Sequence, residues 1–410
     1  MSPAFELAAP PALVALPAAP HPRHGARDGA SALMRAVLHS GPTARTALSR
    51  TTGLSPAAVS RHIAELIGLG LLRELPTPPG PPRAGRPQIP VAVDPGHHLV
   101  CGAHIALRHT TLAMVDLRGR VIGQQRLPHS GDAPGVLGQI LRRLPGFLAR
   151  TARGRSVLGI GVATGGWVDS DQGVVVEHAA LGWRDVAVRD TLAAGTRLPV
   201  HVDGHARALA RAELLFGAGA GRSELVQLFA GNVVDAAIAT GGTVLRGRRS
   251  GAGDVAHLPL GDPGLLCGCG RRGCLQAAVS ELAVAGRAFA SGTIPEPRFS
   301  MLVELAGEGH REALRILRER LRTVGRAAAL LLDVINPEVL VVADGTAARL
   351  PQLLPDLYEE TASHSHHLAD PERTVVTSSF GNQVLGVAAG ASVLDAVYRR
   401  PMDLRTARSA

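Results

Sequence analysis

The chain has no lysine. All 43 of its basic residues are arginines, set against 34 acidic ones in 410 residues. This excludes a phosphate-loop lysine, a Schiff-base lysine and a lysine general base, since each of those chemistries needs a primary amine. Aromatic residues make up only 3% of the chain, so its cores must be built from Leu, Val, Ile and Ala. There are four cysteines, three of them within eight positions. No apolar run reaches the roughly 20 residues needed to span a bilayer. The first residues lack the basic segment of a secretion signal. These absences set the expectation of a cytoplasmic protein with no membrane partner.

What is present is a largely globular chain. Its hydrophobic content is 46% and its net charge +9, with an isoelectric point near 10.8. That balance favours an anionic partner, although arginine for lysine beside abundant Ala, Gly and Pro also looks like a coding bias. The length suits two or three domains. Residues 1–28 are rich in Ala and Pro with no period that would bury a face, which reads as a disordered tail, either a linker or an early start codon. Helical spacing begins at Ser31, continues in a short helix over Thr43–Arg50, and returns from Ser55 to Leu66. From His97 onward, strands alternate with Ala/Leu-rich helices. Val100–Val115 and Val121–Leu127 read as a hairpin across Asp116–Gly119. Further strands are expected at Val157–Val162, Leu198–Val202, Leu225–Phe229, Ala236–Ala239 and Val339–Val342. The expected organisation is therefore a head at 29–93, an α/β body at 94–400 and a tail at 401–410.

The head carries the signature of a winged helix-turn-helix. Gly53 provides a sharp turn between two helices. Ser55 is a good N-cap, and Pro56 suits the first helical position. Val59, Ile63 and Leu66 fall on one face with Leu48 and Leu54 beneath them. The other face offers small residues and one arginine, which permits close approach to base edges in a major groove. The candidate DNA contacts are Arg45, Ser55, Ala57, Ala58, Ser60, Arg61 and His62. Arg83 and Arg86, in the Pro/Gly-rich tip after Leu71–Glu74, are candidates for phosphate or minor-groove contacts. A plain three-helix bundle with solvated arginines is the blander alternative.

Near residue 270 the sequence reads Cys267-Gly-Cys269-Gly-Arg-Arg-Gly-Cys274, ten residues after His257. Three thiolates and an imidazole are a complete tetrahedral set for a structural zinc ion and leave no open position for hydrolysis. The remaining cysteine, Cys101, lies in an apolar stretch and reads as buried. A redox pair or disulfide hairpin is the competing reading, and the cytosolic expectation argues against it.

This cysteine loop, preceded by Gly251-Ala-Gly-Asp254-Val-Ala-His257, resembles the ROK family of repressors, open reading frames and kinases. So do Val162-Ala-Thr-Gly165-Gly-Trp-Val-Asp169, Leu181-Gly-Trp-Arg-Asp185, Ile335-Asn-Pro337 and Gly386–Ala391; the resemblance covers residues 97–400. The head resembles the winged helix of bacterial repressors, in which Gly85-Arg86-Pro87 matches a recurring motif. The fold implied is α/β: a winged helix-turn-helix followed by a two-lobed, actin-like, ribonuclease-H-like sugar-kinase scaffold. The chain departs from the family's kinases at three places. Their phosphate-binding Asp-x-Gly-Gly-Thr is His104-Ile-Ala-Leu-Arg108 here. Their Glu-Asn-Asp-Ala-Asn run, which holds the general base, is Asp203-Gly204-His205-Ala206-Arg207. Their adenosine-side glycines are Ala343-Asp344-Gly345. Kinase activity is accordingly not expected. The family's sugar-binding positions fall on Gly165, Gly204, His205, Asp254, His257 and Gln276.

Three functions follow as expectations. The first is a transcription regulator of carbohydrate-related genes that binds a double-stranded operator as a homodimer or homotetramer, gated by a sugar or sugar derivative. Repression is the usual output of the resemblance. The second is a ligand-independent regulator whose body is a dimerisation scaffold, and the third a bifunctional sugar kinase. The resemblance implies a bacterial protein, at the nucleoid when bound to DNA.

Overall fold

Helix α1 (Gly29–Ser40), strand β1 (Thr43–Ala44), helices α2 (Arg45–Thr52) and α3 (Pro56–Gly68), and strands β2 (Leu72–Glu74) and β3 (Pro90–Val93) build the head. The computed structural model describes residues 29–76, 89–366, 370–381 and 384–404, with the side chain of Val384 excepted. The tail at 1–28 and the wing tip with Arg83 and Arg86 lie outside these residues. Gly53 has φ 72°, the left-handed conformation that closes α2, and its N–H bonds Ser49 O. The Ser55 hydroxyl accepts from Ala58 N at the start of α3, with Pro56 in the first turn. The strands pair antiparallel in the order β1-β3-β2. Thr43 and Ala44, expected in the second helix, pair with Val91 and Pro90 instead.

The first lobe of the body contains β4 (His98–Ile105), β5 (His109–Asp116), β6 (Val121–Pro128), α4 (Ala133–Ala152), β7 (Ser156–Thr164), β8 (Trp167–Asp169), β9 (Val174–His178), β10 (Trp183–Val186), α5 (Val188–Thr196), β11 (Val200–Gly204) and α6 (His205–Phe216). Its five-stranded sheet runs β11-β7-β4-β5-β6, and β8, β9 and β10 form a small antiparallel sheet. The expected long strand Val100–Val115 is corrected: the chain turns at Ala106–Arg108, where Ala106 N bonds His109 O. The result is a three-stranded meander, not one hairpin.

The second lobe contains β12 (Leu225–Ala230), β13 (Val234–Thr240), β14 (Thr243–Val244), α7 (Leu275–Val279), α8 (Glu281–Ala290), α9 (Phe299–Gly307), α10 (Arg311–Ile335), β15 (Val339–Asp344), α11 (Gly345–Arg349), α12 (Leu354–His364), α13 (Pro371–Thr374) and β16 (Val375–Thr377). Its sheet runs β14-β13-β12-β15-β16, with β12, β15 and β16 parallel. Helix α14 (Val384–Arg399) returns to the first lobe and lies on β4 and β7. Gly161 makes this approach possible, since a Cβ there would sit 1.8 Å from Ala389 O. Among the described residues no helix is long and apolar enough to cross a membrane.

Head and body share one hydrophobic cluster. Leu33, Met34, Val37, Val59 and Ile63 of the head belong to it, as do Val115, Leu158, Leu394, Val397 and Tyr398 of the body. The buried Tyr398 hydroxyl donates to Leu117 O at 2.7 Å, and Ser31 Oγ donates to Tyr398 O at 2.9 Å. Arg35 also meets Asp395 at 3.2 Å. Burying one Leu or Val side chain contributes about 1.5–3 kcal/mol, so the apolar contacts hold the head in place and the ion pair adds orientation. Residues 401–404 correct the expected tail: Pro401–Asp403 form a 3-10 turn, and Leu404 packs into the same cluster.

Candidate functional site

On the head, the presented face of α3 is as its spacing predicts. Val59, Ile63 and Leu66 are buried, while Ser55, Ala57, Ser60 and Arg61 are exposed and Ala58 is half-buried. Two candidates are engaged elsewhere. His62 Nδ1 lies 3.1 Å from Glu65 Oε2, and its ring rests against Gly29. Arg45 pairs with Glu74 of β2 at 2.7 Å. Arg50 and Arg73, which the sequence did not single out, are exposed on the head, as Arg61 is.

The four residues of the cysteine loop come together. The ligand atoms of His257, Cys267, Cys269 and Cys274 lie within 4.8 Å of one another. Cys269 Sγ is 3.7 Å from Cys274 Sγ, and Cys267 Sγ is 3.7 Å from His257 Nδ1. Tetrahedral zinc with its usual bond lengths would separate two sulfurs by about 3.8 Å and a sulfur from a nitrogen by about 3.6 Å. A disulfide would need about 2.05 Å, and all four cysteines are free. The loop is closed by backbone bonds from Cys267 N to Arg271 O and from Gly273 N to Leu265 O. The donor set and spacing fit a four-coordinate structural metal. Cys274 also caps α7, whose Gln276 bonds Val234 N at 2.8 Å and Asn232 O at 3.0 Å. The cysteine loop is thereby joined through Gln276 to the β12–β13 turn.

That turn borders a cavity of about 640 Å³ between the lobes, whose walls include His104, Leu107, His178, His205, Phe229 and Asp344. The parallel register of β4, β7 and β11 sets His104 and Asp203 on either side of Ala163. His205 then begins α6, and its Nε2 lies 3.0 Å from His104 Nε2. Burial lowers His104 to about 3, assisted by His109, and pushes His205 well below the ordinary range. Both imidazoles are neutral at pH 7. Nδ1 of His205 and Nδ1 of His178 have no partner among the described residues. Asp344 is consumed structurally: it caps α11 through Thr346 N and Ala347 N, and it pairs with the buried Arg320.

The other candidate ligand positions are placed as follows. A Cβ on Gly165 would meet Val233 at 2.9 Å and His178 Nε2 at 3.1 Å. Gly204 donates its N–H to Asp203 Oδ1. Asp254 is exposed, and Oδ1 accepts from Ala256 N at 3.3 Å. His257 is turned into the cysteine cluster, and Gln276 is occupied by the turn. His205 alone of the six lines the cavity.

Sequence reasoning missed a buried ionic network beside the cavity. Asp203 accepts from Arg207 Nε at 2.6 Å and Ser170 Oγ at 2.8 Å, and it also pairs with Arg211. Arg211 reaches Asp395 at 3.6 Å, which pairs with Arg399 at 2.7 Å and Arg35 at 3.2 Å. Burial opposes the charge on both carboxylates. The arginines overcome it, holding Asp203 well below the usual carboxylate range and Asp395 at about 2. The i, i+4, i+8 spacing of Asp203, Arg207 and Arg211 was the available signal for one half. Nothing in the sequence pointed to Asp395.

A family model described as the ROK family matches residues 101–395. Transcriptional regulator Rv0485 of Mycobacterium tuberculosis is 32% identical over 394 residues, covering 92% of this chain and 88% of the relative. The DNA-binding transcriptional repressor Mlc of Escherichia coli is 26% identical, with 92% and 96% covered. Among solved structures, a ROK family transcriptional regulator described as a homologue of the E. coli Mlc protein superposes with a TM-score of 0.75. It is 23% identical, with 92% of this chain and 99% of that chain covered.

Proposed function

The chain belongs to the ROK family and shares its two-lobed, actin-like α/β fold, and from that premise we propose that it is a sequence-specific DNA-binding repressor of carbohydrate-related genes whose head is gated by a sugar or sugar-derived ligand in the cleft. The observation that carries this reading is the capped α3. It presents Ser55, Ala57, Ser60 and Arg61 on a head packed directly against the lobe that forms the cleft. Relatives named as regulators and repressors support it. Winged heads act in pairs on two half-sites, so a homodimer or homotetramer is the expected assembly.

Kinase chemistry is absent on this reading. The position of a magnesium-facing carboxylate holds His104, buried against His205, and Leu107 walls the cavity where a phosphate loop would need glycine. His257, Cys267, Cys269 and Cys274 would hold zinc as a structural ion, which would brace the loop carrying Gln276. A ligand can gate the head only by binding its two arrangements unequally. The run Asp203–Arg211–Asp395–Arg35 is a physical route for that bias from the cleft edge to α1. A second reading, a scaffold with no small ligand, draws support from Gln276 and Gly165, whose surroundings are already filled.

The test is selection of genomic fragments by purified protein, repeated with a panel of sugars, amino sugars and oligosaccharides, with Arg61→Ala as control. Enrichment of a palindromic site that one compound abolishes and Arg61→Ala weakens is the expected result. Enrichment that no compound changes favours the scaffold. No enrichment, or full affinity in Arg61→Ala, removes the DNA-reading role assigned to α3.

A further inference from the structure

Residues 246–250 of the second lobe follow β14 and end in a 3-10 turn, Arg248–Ser250. Arg249 has φ 50° and ψ 35°, and Ser250 follows with φ 55°. Two successive non-glycine residues in the left-handed region oppose this shape, so contacts from outside the segment must hold it. The first lobe supplies them. Trp167 Nε1 of β8 donates to Arg249 O at 2.9 Å, and the Arg249 guanidinium lies 4.8 Å from the Trp167 ring centroid. Arg249 also reaches Asp169 at 3.7 Å, and Arg246 pairs with Asp171. Ser250 is buried. Its Oγ accepts from Ser170 N at 3.1 Å, and its carbonyl accepts from Arg207 Nη1 at 2.7 Å.

The lobes are also joined by apolar packing, in which Ala206, Leu209 and Leu214 of α6 share a cluster with Leu225, Phe229 and Ala237 of the second sheet. Apolar burial is non-directional, whereas the hydrogen bonds to 246–250 are directional and are made in one arrangement of the lobes. Arg246 and Arg249 reach solvent, where ion pairs are individually weak. The outer end of the segment is therefore readily released, and Ser250 is its inner anchor. Arg207 carries that anchor into the buried ionic network. Its Nε donates to Asp203 at 2.6 Å and its Nη2 to Val168 O of β8 at 2.9 Å. From Asp203 the ion pairs continue through Arg211 and Asp395 to Arg35 of α1. One guanidinium thus touches the second lobe, the first lobe and the carboxylate from which the path to the head begins.

We propose that residues 246–250 are a releasable strap that fixes the second lobe against β8 and Arg207, and that its fastening is passed through Asp203, Arg211 and Asp395 to Arg35, setting the orientation of the head. The inference rests on the reading that the head binds operator DNA. With the strap fastened, Ser250 O holds Arg207, Arg207 holds Asp203, and the carboxylate of Asp395 keeps the place that pairs with Arg35. With it released, Arg207 loses its bond to the second lobe and the head samples more orientations. An operator then binds a smaller competent fraction, which lowers its affinity.

The experiment is hydrogen exchange read by mass spectrometry on the full chain, comparing wild type with Arg246→Ala/Trp167→Phe, with operator affinity measured on the same preparations. Both substituted side chains reach solvent, so the variant keeps its core. Amides of 246–250 and of α1 should exchange at least about tenfold faster in the variant, and operator affinity should fall at least about threefold. Arg246→Ala alone should move both readouts the same way by less, and it serves if the double variant does not fold. Arg35→Ala should also weaken operator binding, and adding it to the strap variant should lower the affinity no further. Faster exchange confined to 246–250 and β8, with α1 and operator affinity unchanged, overturns the proposal. So does unchanged exchange at 246–250, or losses that simply add. Any of these with wild-type operator binding intact leaves the regulator reading standing. A wild type that binds no operator sinks that reading instead, and exchange at α1 still decides whether the strap reaches the head.

Discussion

The cysteines of the loop differ in burial, so one of them can be removed with a readable result. Cys269 is exposed on the loop, whereas Cys267 and Cys274 are buried and packed against Ala277. Cys269→Ser should therefore lose the metal with little direct loss of packing. We expect metal content to fall below one ion per chain by elemental analysis, and the melting temperature to drop as it does for wild type treated with chelator. A variant that keeps stoichiometric zinc and melts normally would show that the loop is not metal-supported. The clustering of these four residues was legible in the sequence because they sit within one short segment and cysteines are chemically specific. Asp395 was not, because only its contacts with α1 and α6 give it meaning.

Elements were legible where punctuation is strong. The turn between α2 and α3 announced itself through Gly53, Ser55 and Pro56. The turn between β4 and β5 did not, because Ala106-Leu-Arg108 has no Gly, Pro, Asn or Asp to mark it. Packing of α1 on α14 was also silent, since Arg35 and Asp395 are 360 residues apart. That contact carries a prediction. Asp395 is held at about 2 by Arg399, Arg35 and Arg211 against the cost of burial. A depressed carboxylate stabilises the fold above its unfolded value, near 4, and the stabilisation disappears as pH falls from there towards 2. A shift of about two units corresponds to roughly 2–3 kcal/mol. Asp395→Asn leaves three arginines without their shared counter-ion, so it should cost about 3–5 kcal/mol. Thermal melts from pH 7 to pH 3 should show a lower melting temperature in the variant and a flatter acid limb. Equal acid limbs would mean that Asp395 is not linked to folding.

At the scale of the whole molecule, the head is not a bead on a linker. Its core is continuous with that of the first lobe, and the last described residues, Pro401–Leu404, close over the same cluster. Helix α1 rests on α14 and α6, so ligand control of DNA binding, if the proposed gating operates, would have to work through that surface. The same arrangement fixes the electrostatic character of the contact. Arg45 is neutralised by Glu74, leaving Arg50, Arg61 and Arg73 as the exposed cations of each head among the described residues. Two heads would then place on the order of six arginines against phosphates, and operator affinity should fall with a log–log salt slope of about −5. Arg61→Ala in both heads should reduce that slope by up to about two. Glu74→Ala should steepen it by freeing Arg45. Fluorescence anisotropy across a salt series measures all three slopes. A slope near zero would place the positive charge of this chain elsewhere than on its DNA-binding face.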